Sequence, residues 1–338
     1  MNLDLKTIGE FGLIERLKQE AIVVPDRVVM GIGDDAAVLK GEGGYLTLAS
    51  TDMLVEDIHF TLATATAREI GYKTMAVNVS DIAAMGGIPE QALISLGLRP
   101  EQTVAFVDEL YAGLRECGRL FGVNIIGGDT VSSPRAMVIN LAILGRVEED
   151  ACLYRSGARP GDILLVTGNL GAAAAGLDTL LDPRPATAAA LTFARRRHFR
   201  PTPRVAEIRA AVAAGGITAA DDISDGLVAE IYTIARASGV GIILEAAALP
   251  IDPATRELAA LYQKDPLDYA LYGGEDFELL LSCRPERVTA VQKAVAACCT
   301  TPVTRIGSVV PAAEGIAIVR AGKKLPLHPG GYNHFQRQ

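Results

Sequence analysis

The segment Ala67–Met85 reads as an apolar helix ended by Gly86-Gly87, yet it carries Asp81 beside Val79 and Ile82. A carboxylate in apolar surroundings is costly unless it is paired or bound to a metal. Whatever this chain folds into must bring a partner to Asp81. Strand-like and helix-like segments alternate around it. Tyr45–Ser50, Ala92–Leu98, Val123–Ile126 and Met137–Gly145 read as strands, and Glu101–Phe121 as a helix after Pro100 and before Gly122. Glu148–Gly161 is polar and turn-rich, which places a domain boundary near its start and divides the chain into 1–148 and 149–338. In the second part Asp162–Thr167, Val240–Leu244, Phe277–Ser282, Val303–Val309 and Ile316–Val319 read as strands. Gly171–Leu181, Arg204–Ala214, Leu227–Ala237 and a stretch near Pro285–Ala297 read as helices, and Arg195-Arg196-Arg197 as a solvated helix end. The fold class is α/β, in an α+β two-domain arrangement.

Composition narrows the function. The 338 residues suit about two domains, and 49% hydrophobic residues supply ample core. A net charge of −8 speaks against nucleic acid and against an anionic membrane surface. No stretch approaches the ~18 uncharged apolar residues of a membrane span. Met1–Glu20 carries acids and lacks the apolar run of a signal peptide, so a cytoplasmic location is expected. The five cysteines are odd in number and form no CxxC, which argues against a disulfide framework and a zinc finger.

The aspartates follow a pattern. Small or glycine residues lead into acids at Gly31–Asp35, Ser50–Asp52, Ser80-Asp81, Gly127–Thr130, Asp221–Gly226 and Gly273–Asp276. Glycine lets the backbone turn tightly or approach a ligand, and each aspartate offers a hard oxygen. Convergence of several such corners would suit Mg²⁺, which prefers carboxylates, waters and substrate phosphates. Divalent cations would bridge those acids to a polyphosphate, the setting of phosphoryl transfer. The alternative is that each corner is a turn or a helix cap, with Ser224 or Asp225 capping the helix that begins at Gly226. Other motifs fail. GxxxxGK[ST] and GxSxG are absent, and Gly31–Ala36 imitates a dinucleotide fingerprint without room for the helix that should follow. Thr167–Gly171 is either a phosphate-binding turn or plain packing.

Taken in order, GIGDDAAVL, STDMLVEDIHF, YKTMAVNVSDIAAMGG, IIGGDT, RSGARPGD, RPTPR, DISDGL, GGEDFELLLS and GYNHF resemble the thiamine-monophosphate kinase family. That family lies in the superfamily of aminoimidazole ribonucleotide synthetase and selenophosphate synthetase. The matching stretches run from Gly31 to Phe335, nearly the whole chain. The resemblance implies ATP-dependent phosphorylation of thiamine monophosphate to thiamine diphosphate, the last step of that cofactor's synthesis, with several Mg²⁺ ions. It implies a homodimer whose N-terminal mixed sheets pair across the interface, and a C-terminal α+β layered domain that closes over the nucleotide.

Carried over by motif, Asp35, Ser50, Thr51, Asp52, Asp81, Asp129, Asp222 and Asp225 resemble metal ligands. Gly128, Asp129, Arg155 and Ser224 resemble ATP contacts, and His59, Glu275 and Tyr332 resemble substrate contacts, with Asp276 supporting Glu275. An aromatic ring suits a cationic heterocycle. The chain departs from the family pattern at Asp57, where glycine is frequent, at Phe277, where tyrosine is frequent, and at Asn333, where aspartate is frequent. A carboxylate at Asp57 is expected to raise the basicity of His59 or alter the pocket. The implied mechanism is direct in-line transfer. A phosphate monoester with a second pKa of ~6 is already largely dianionic, so no general base is needed, and Arg155 assists with charge. Two other readings stay open: another ATP-dependent synthetase of the superfamily, and a non-catalytic protein that binds divalent metal. The absence of a cysteine before Cys117 disfavours selenophosphate synthetase.

Overall fold

The chain is described by a computed structural model that covers residues 4–332 and 334. Asn333 and Phe335 of the last motif lie outside the described residues. The first lobe holds strands β1 (Val28–Met30), β2 (Ala37–Lys40), β3 (Tyr45–Val55), β4 (Ile88–Leu98), β5 (Asn124–Ser132) and β6 (Val138–Glu148). They form one mixed sheet in the order β1-β2-β3-β6-β4-β5, with β4 and β5 parallel and the other pairs antiparallel. Its helices are α1 (Leu5–Leu17), α2 (Ala67–Ala84) and α3 (Val104–Phe121). The second lobe holds β7 (Ile163–Thr167), β8 (Ile217–Asp222), β9 (Val240–Glu245), β10 (Leu279–Cys283), β11 (Val303–Pro311), β12 (Ile316–Arg320) and β13 (Lys323–Pro326). They order as β13-β12-β9-β11-β7-β10-β8, and only β9–β12 is parallel. Around this sheet lie α4 (Ala172–Leu181), α5 (Ala188–Phe199), α6 (Val205–Ala214), α7 (Leu227–Ser238), α8 (Pro253–Tyr262), α9 (Pro266–Tyr272) and α10 (Val288–Cys298). Among the described residues, no helix is long and apolar enough to cross a membrane.

Helix α2 organises both lobes. Thr66 and Glu69 close a reciprocal capping box at its start, which satisfies two of the amide donors a helix leaves free there. From Ile70 to Ala84 every residue but Asp81 is buried. A helix buried on nearly every side belongs between layers rather than on a surface, and its polar residues must find partners there. Most of α2 packs in the first lobe's core, which also takes Phe199 and Phe277 from the second lobe. Its last turn, Ala83 and Ala84, packs with Ile163, Leu165 and Ile208 of the second lobe. Two glycines let α2 and α3 touch backbone to backbone. A Cβ at Gly71 would fall 1.9 Å from the Leu110 carbonyl oxygen, and one at Gly113 would fall 2.0 Å from that of Arg68.

Strand alternation sets which residues of β3 meet α2. Leu46, Leu48 and Leu54 are buried toward the helix, and Ser50 and Asp52 share that parity. Thr51 and Met53 take the other face. That outer face leaves Met53, Leu93, Val131 and Leu144 exposed. The strands run further than their sequence pattern indicates. The Ser50–Asp52 and Gly127–Thr130 segments lie inside β3 and β5 rather than at corners, because strand pairing carries on past the apolar residues. The Arg195–Arg197 run also divides. Arg195 and Arg196 are exposed, whereas Arg197 turns inward and pairs with the buried carboxylate of Glu278.

Candidate active site between the lobes

Asp81 finds its partner across α2 and β3. Ser50 Oγ donates to Asp81 Oδ2 at 2.5 Å and lies 2.9 Å from the Asp35 carbonyl. Asn78, two residues before Ser80 and three before Asp81, accepts from the Asp52 amide at 3.0 Å and fixes β3 against the helix. Ser80 donates to Asp222 at the end of β8. The loop between β1 and β2 supplies Asp34 and Asp35, whose side chains are almost fully buried. Arg155 closes the group. Its guanidinium lies 2.5 Å from Asp35 Oδ1 and 3.0 Å from Asp221 Oδ1, and its amide donates to Asp34 Oδ2 at 3.1 Å.

The result is a crowded set of carboxylates with one guanidinium. One oxygen from each of Asp35, Asp221 and Asp222 lies within 4.8 Å of the others. Asp35 Oδ2 and Asp221 Oδ2 are buried and, among the described residues, have no hydrogen-bond partner. Burial, and then the charge of Asp35, pushes the Asp52 carboxyl up to about 6. Burial followed by Asp52, Asp222 and Asp35 pushes Asp81 well above the carboxylate range. Burial and then Asp35 raise Asp222 to about 8. Crowded acids of this kind lack positive charge. The donors are hard oxygens, three of the acids lie close enough to share one ion, and two of their oxygens are buried without a partner, so the residues present fit Mg²⁺.

Two of the metal ligands expected from the resemblance stand apart from this cluster. Thr51 lies on the outer face, where its hydroxyl donates to the Leu141 carbonyl at 3.0 Å. Asp129 is exposed on β5. By register Asp52 pairs with Leu141, Leu141 with Ile94, and Ile94 with Gly128. Three strand spacings therefore separate β3 from β5, roughly 14 Å. Gly128 has φ 153°, and a Cβ there would fall 1.7 Å from the Ile94 carbonyl oxygen, so this position admits glycine alone. Beside it opens a groove of about 500 Å³ lined by Tyr111, Arg115, Arg119 and Gly127, among others.

The Asp221–Gly226 loop links the cluster to a second group. The Ser224 carbonyl accepts from the Glu275 amide at 2.6 Å, and the Asp225 carbonyl from the Tyr332 amide at 3.1 Å. Neither side chain caps α7, whose N-cap Gly226 receives no side-chain bond. The Asp225 amide donates to Glu230 Oε1 at 2.9 Å, and burial raises the Asp225 carboxyl to about 6. The Glu275 carboxylate lies 2.6 Å from Lys73 Nζ and 3.3 Å from His198 Nδ1. Burial opposes its ionisation, but Lys73 and then His198 overcome this and hold it below the usual range. The rings of His59 and Tyr332 both meet His334, at 5.2 and 4.9 Å between centroids. The sequence-named His59, Glu275 and Tyr332 thus share one neighbourhood.

Neighbouring details answer further expectations. Asp276 does not turn toward Glu275. Its carboxylate accepts from the amides of Gly171 and Ala173 at 2.5 and 3.2 Å, which occupies the start of α4 and leaves the Thr167–Gly171 turn a packing element. Asp57 has φ 65°, which explains why glycine is frequent there, since aspartate is among the few side chains that tolerate this conformation. Its carboxylate is exposed and does not raise His59, whose basicity is lowered by burial and by His334. Glu275 and Phe277 also have positive φ, 67° and 49°.

Relatives identify the chain. The AIR synthase related protein family matches in two parts, its N-terminal domain over residues 33–147 and its C-terminal domain over 159–320. The thiamine-monophosphate kinase of Bacillus subtilis (strain 168) is 37% identical over 332 residues, covering 97% of this chain and 100% of that protein. The chain belongs to the thiamine-monophosphate kinase family. The kinase of Aquifex aeolicus (strain VF5) is 35% identical over 331 residues, covering 98% of this chain and 99% of that one. A solved structure of AaThiL complexed with AMPPCP and TMP matches with a TM-score of 0.85 at 33% identity, covering 99% of each chain. The two-domain α/β fold is that of the thiamine-monophosphate kinases.

Within this kinase fold the sequence reading missed Asp34, Asp221, Lys73, His198 and the Tyr111–Arg119 groove. Asp34 and Asp221 each sit in an aspartate doublet of which only one member was singled out. Lys73 carries the same signal as Asp81, a charged residue inside an apolar helix. The groove pairs β5 with a face of α3 that alternation alone does not reveal.

Proposed function

We propose that this chain transfers the γ-phosphoryl group of ATP directly to the phosphate of thiamine monophosphate, giving thiamine diphosphate and ADP. The observation that carries this reading is the close group of Asp35, Asp221 and Asp222, with Asp81 beside it through Ser50, joined through one loop to the neighbourhood of His59, Glu275 and Tyr332. The full-length kinase relatives name the reaction. Asp35, Ser50, Asp52, Asp81, Asp222 and Asp225 would hold Mg²⁺, with Asp221 as an added ligand. When bound, Mg²⁺ supplies the charge neutralisation that phosphoryl transfer between anions requires.

The protein's own groups do the remaining work. Arg155 keeps a fixed guanidinium against Asp35 and Asp221 and offers positive charge to the polyphosphate. The acceptor phosphate, with a second pKa of ~6, needs no general base, and we assign none. Tyr332 and His59, with His334 between them, offer aromatic faces to a cationic heterocycle, and Glu275 offers a carboxylate. Gly128 and Asp129 serve the nucleotide side from β5, next to the groove that Tyr111, Arg115 and Arg119 line, while Thr51 lies on the outer face of β3. We further propose that a second copy covers that face, where Met53, Leu93 and Val131 are exposed, and that the homodimer works in the cytoplasm.

The test is ADP release from Mg²⁺-ATP with and without thiamine monophosphate, with thiamine diphosphate assayed directly. Equal amounts of ADP and diphosphate, both lost on chelation, are the expected result. Tight Mg²⁺-ATP binding without diphosphate would discard the acceptor.

A further inference from the structure

We infer that Lys73 is a positioning residue for the acceptor: its buried ammonium holds the Glu275 carboxylate where it meets the substrate. The inference rests on the reading of Glu275 as an acceptor contact. Lys73 sits in the middle of α2 and is only 2% exposed. Glu275 is the one carboxylate within salt-bridge distance of it among the described residues. Nζ is buried and, among the described residues, has no hydrogen-bond partner beside this ion pair. An ammonium so placed is costly unless its counter-charge stays put.

Glu275 in turn depends on what surrounds it. Its backbone is left-handed at φ 67°, an unfavourable state for glutamate that surrounding contacts must maintain. Its two oxygens face different elements, Oε1 toward Lys73 on α2 and Oε2 toward His198 on α5. His59, in the loop after β3, is the third titratable group facing it. About a third of the side chain, 31%, stays accessible, so the carboxylate is presented rather than sealed in. Lys73 and Asp81 stand eight residues apart on the same helix, roughly 12 Å along its axis. One rigid element therefore fixes the separation between the group that fastens Glu275 and the carboxylates of the transfer site.

Steady-state kinetics on Lys73→Met, Glu275→Gln and the double variant test this, with ATP and thiamine monophosphate varied separately. Each single change is expected to raise KM for thiamine monophosphate about tenfold or more, leaving KM for ATP unchanged. In the double variant the Lys73 change should add almost nothing to the Glu275 change, because it acts through that residue. Should Lys73→Met fail to fold, the double variant, which removes both charges, is compared with Glu275→Gln alone. Multiplying losses in the double variant, or a wild-type KM for thiamine monophosphate in Lys73→Met, would overturn the inference. A wild-type KM in Glu275→Gln would instead overturn the reading of Glu275 as an acceptor contact.

Discussion

The Ser80 hydroxyl on α2 donates to the Asp222 carboxylate on β8, one residue before Asp81 turns the other way to receive Ser50 of β3. Adjacent residues of one helix thus reach both lobes. Residues that orient a metal ligand typically change metal affinity 10–100-fold when removed. Ser80→Ala should therefore raise the Mg²⁺ concentration needed for half-maximal activity by about 10–100-fold, with little change in secondary structure. A metal titration of the activity, followed by circular dichroism, checks both halves. An unchanged metal requirement would detach Asp222 from the proposed metal set.

Asp81 feels three neighbouring carboxylates, Asp52, Asp222 and Asp35. Asp81→Asn should lower kcat by at least about 10²–10³-fold while the fold persists. The same change removes a charge that desolvation disfavours first and that Asp52, Asp222 and Asp35 then repel. Because the Asp81 pKa is raised in the folded state, its ionisation opposes folding at neutral pH. Metal-free Asp81→Asn should therefore melt about 2–4 °C above the metal-free wild type at pH 7. The gain should vanish in acid, where Asp81 is protonated whether folded or unfolded. Differential scanning calorimetry in chelator at several pH values measures it. Saturating Mg²⁺ should reverse the order of the two melting temperatures.

Glu278 gives the opposite sign. It accepts from Arg204 Nε and Nη2 at 2.6 Å each and from the Thr167 hydroxyl at 2.7 Å, and it also pairs with Arg197. Burial works against its ionisation, but Arg204 and Arg197 outweigh burial and hold its pKa at about 2. Its ionised form stabilises the fold fully above the ordinary range near 4.5, and that contribution fades as pH falls toward 2. Glu278→Gln should cost about 3–5 kcal/mol at pH 7, because two arginines lose their buried counter-charge. The stability gap to the wild type should narrow steadily below pH 4.5, as urea titrations at each pH would read. A gap independent of pH would mean that packing, not charge, is what the substitution removes.

Asp57→Gly should leave KM for thiamine monophosphate within about twofold, since the carboxylate is exposed and does not set the His59 pKa. Glycine relieves the positive φ but loosens the unfolded chain, so stability should move by no more than about 1 kcal/mol. A large rise in KM would restore a role for Asp57 in the pocket.

The helices were the most legible part of the sequence. Ala67–Met85 and Leu227–Ala237 match α2 and α7 to within a residue, because apolar spacing and glycine stops are local signals. Strand ends were not local. Pairing with β6 carries β3 on to Val55, and pairing with β4 carries β5 on to Ser132, so motifs that read as corners became ladder positions. That difference also split the acid set, since parity puts Asp52 and Thr51 on opposite faces of β3. Asp81 was legible for a thermodynamic reason, as a charge in an apolar helix. Arg155 drew notice only through the family motif, because its partners Asp35 and Asp221 lie 120 and 66 residues away in sequence. Helices α1, α8 and α9 and strands β2, β8 and β13 went unread, β8 being short and ending in two aspartates, and of α5 only the closing arginine run was read as helix.

Because α2 contributes side chains to the cores of both lobes, neither lobe owns a complete interior. Peeling one sheet away would strip cover from a helix that is buried on nearly every side, Lys73 included. The two lobes should therefore melt in a single transition rather than two, and the amides of α2 should exchange with deuterium only when the whole molecule opens.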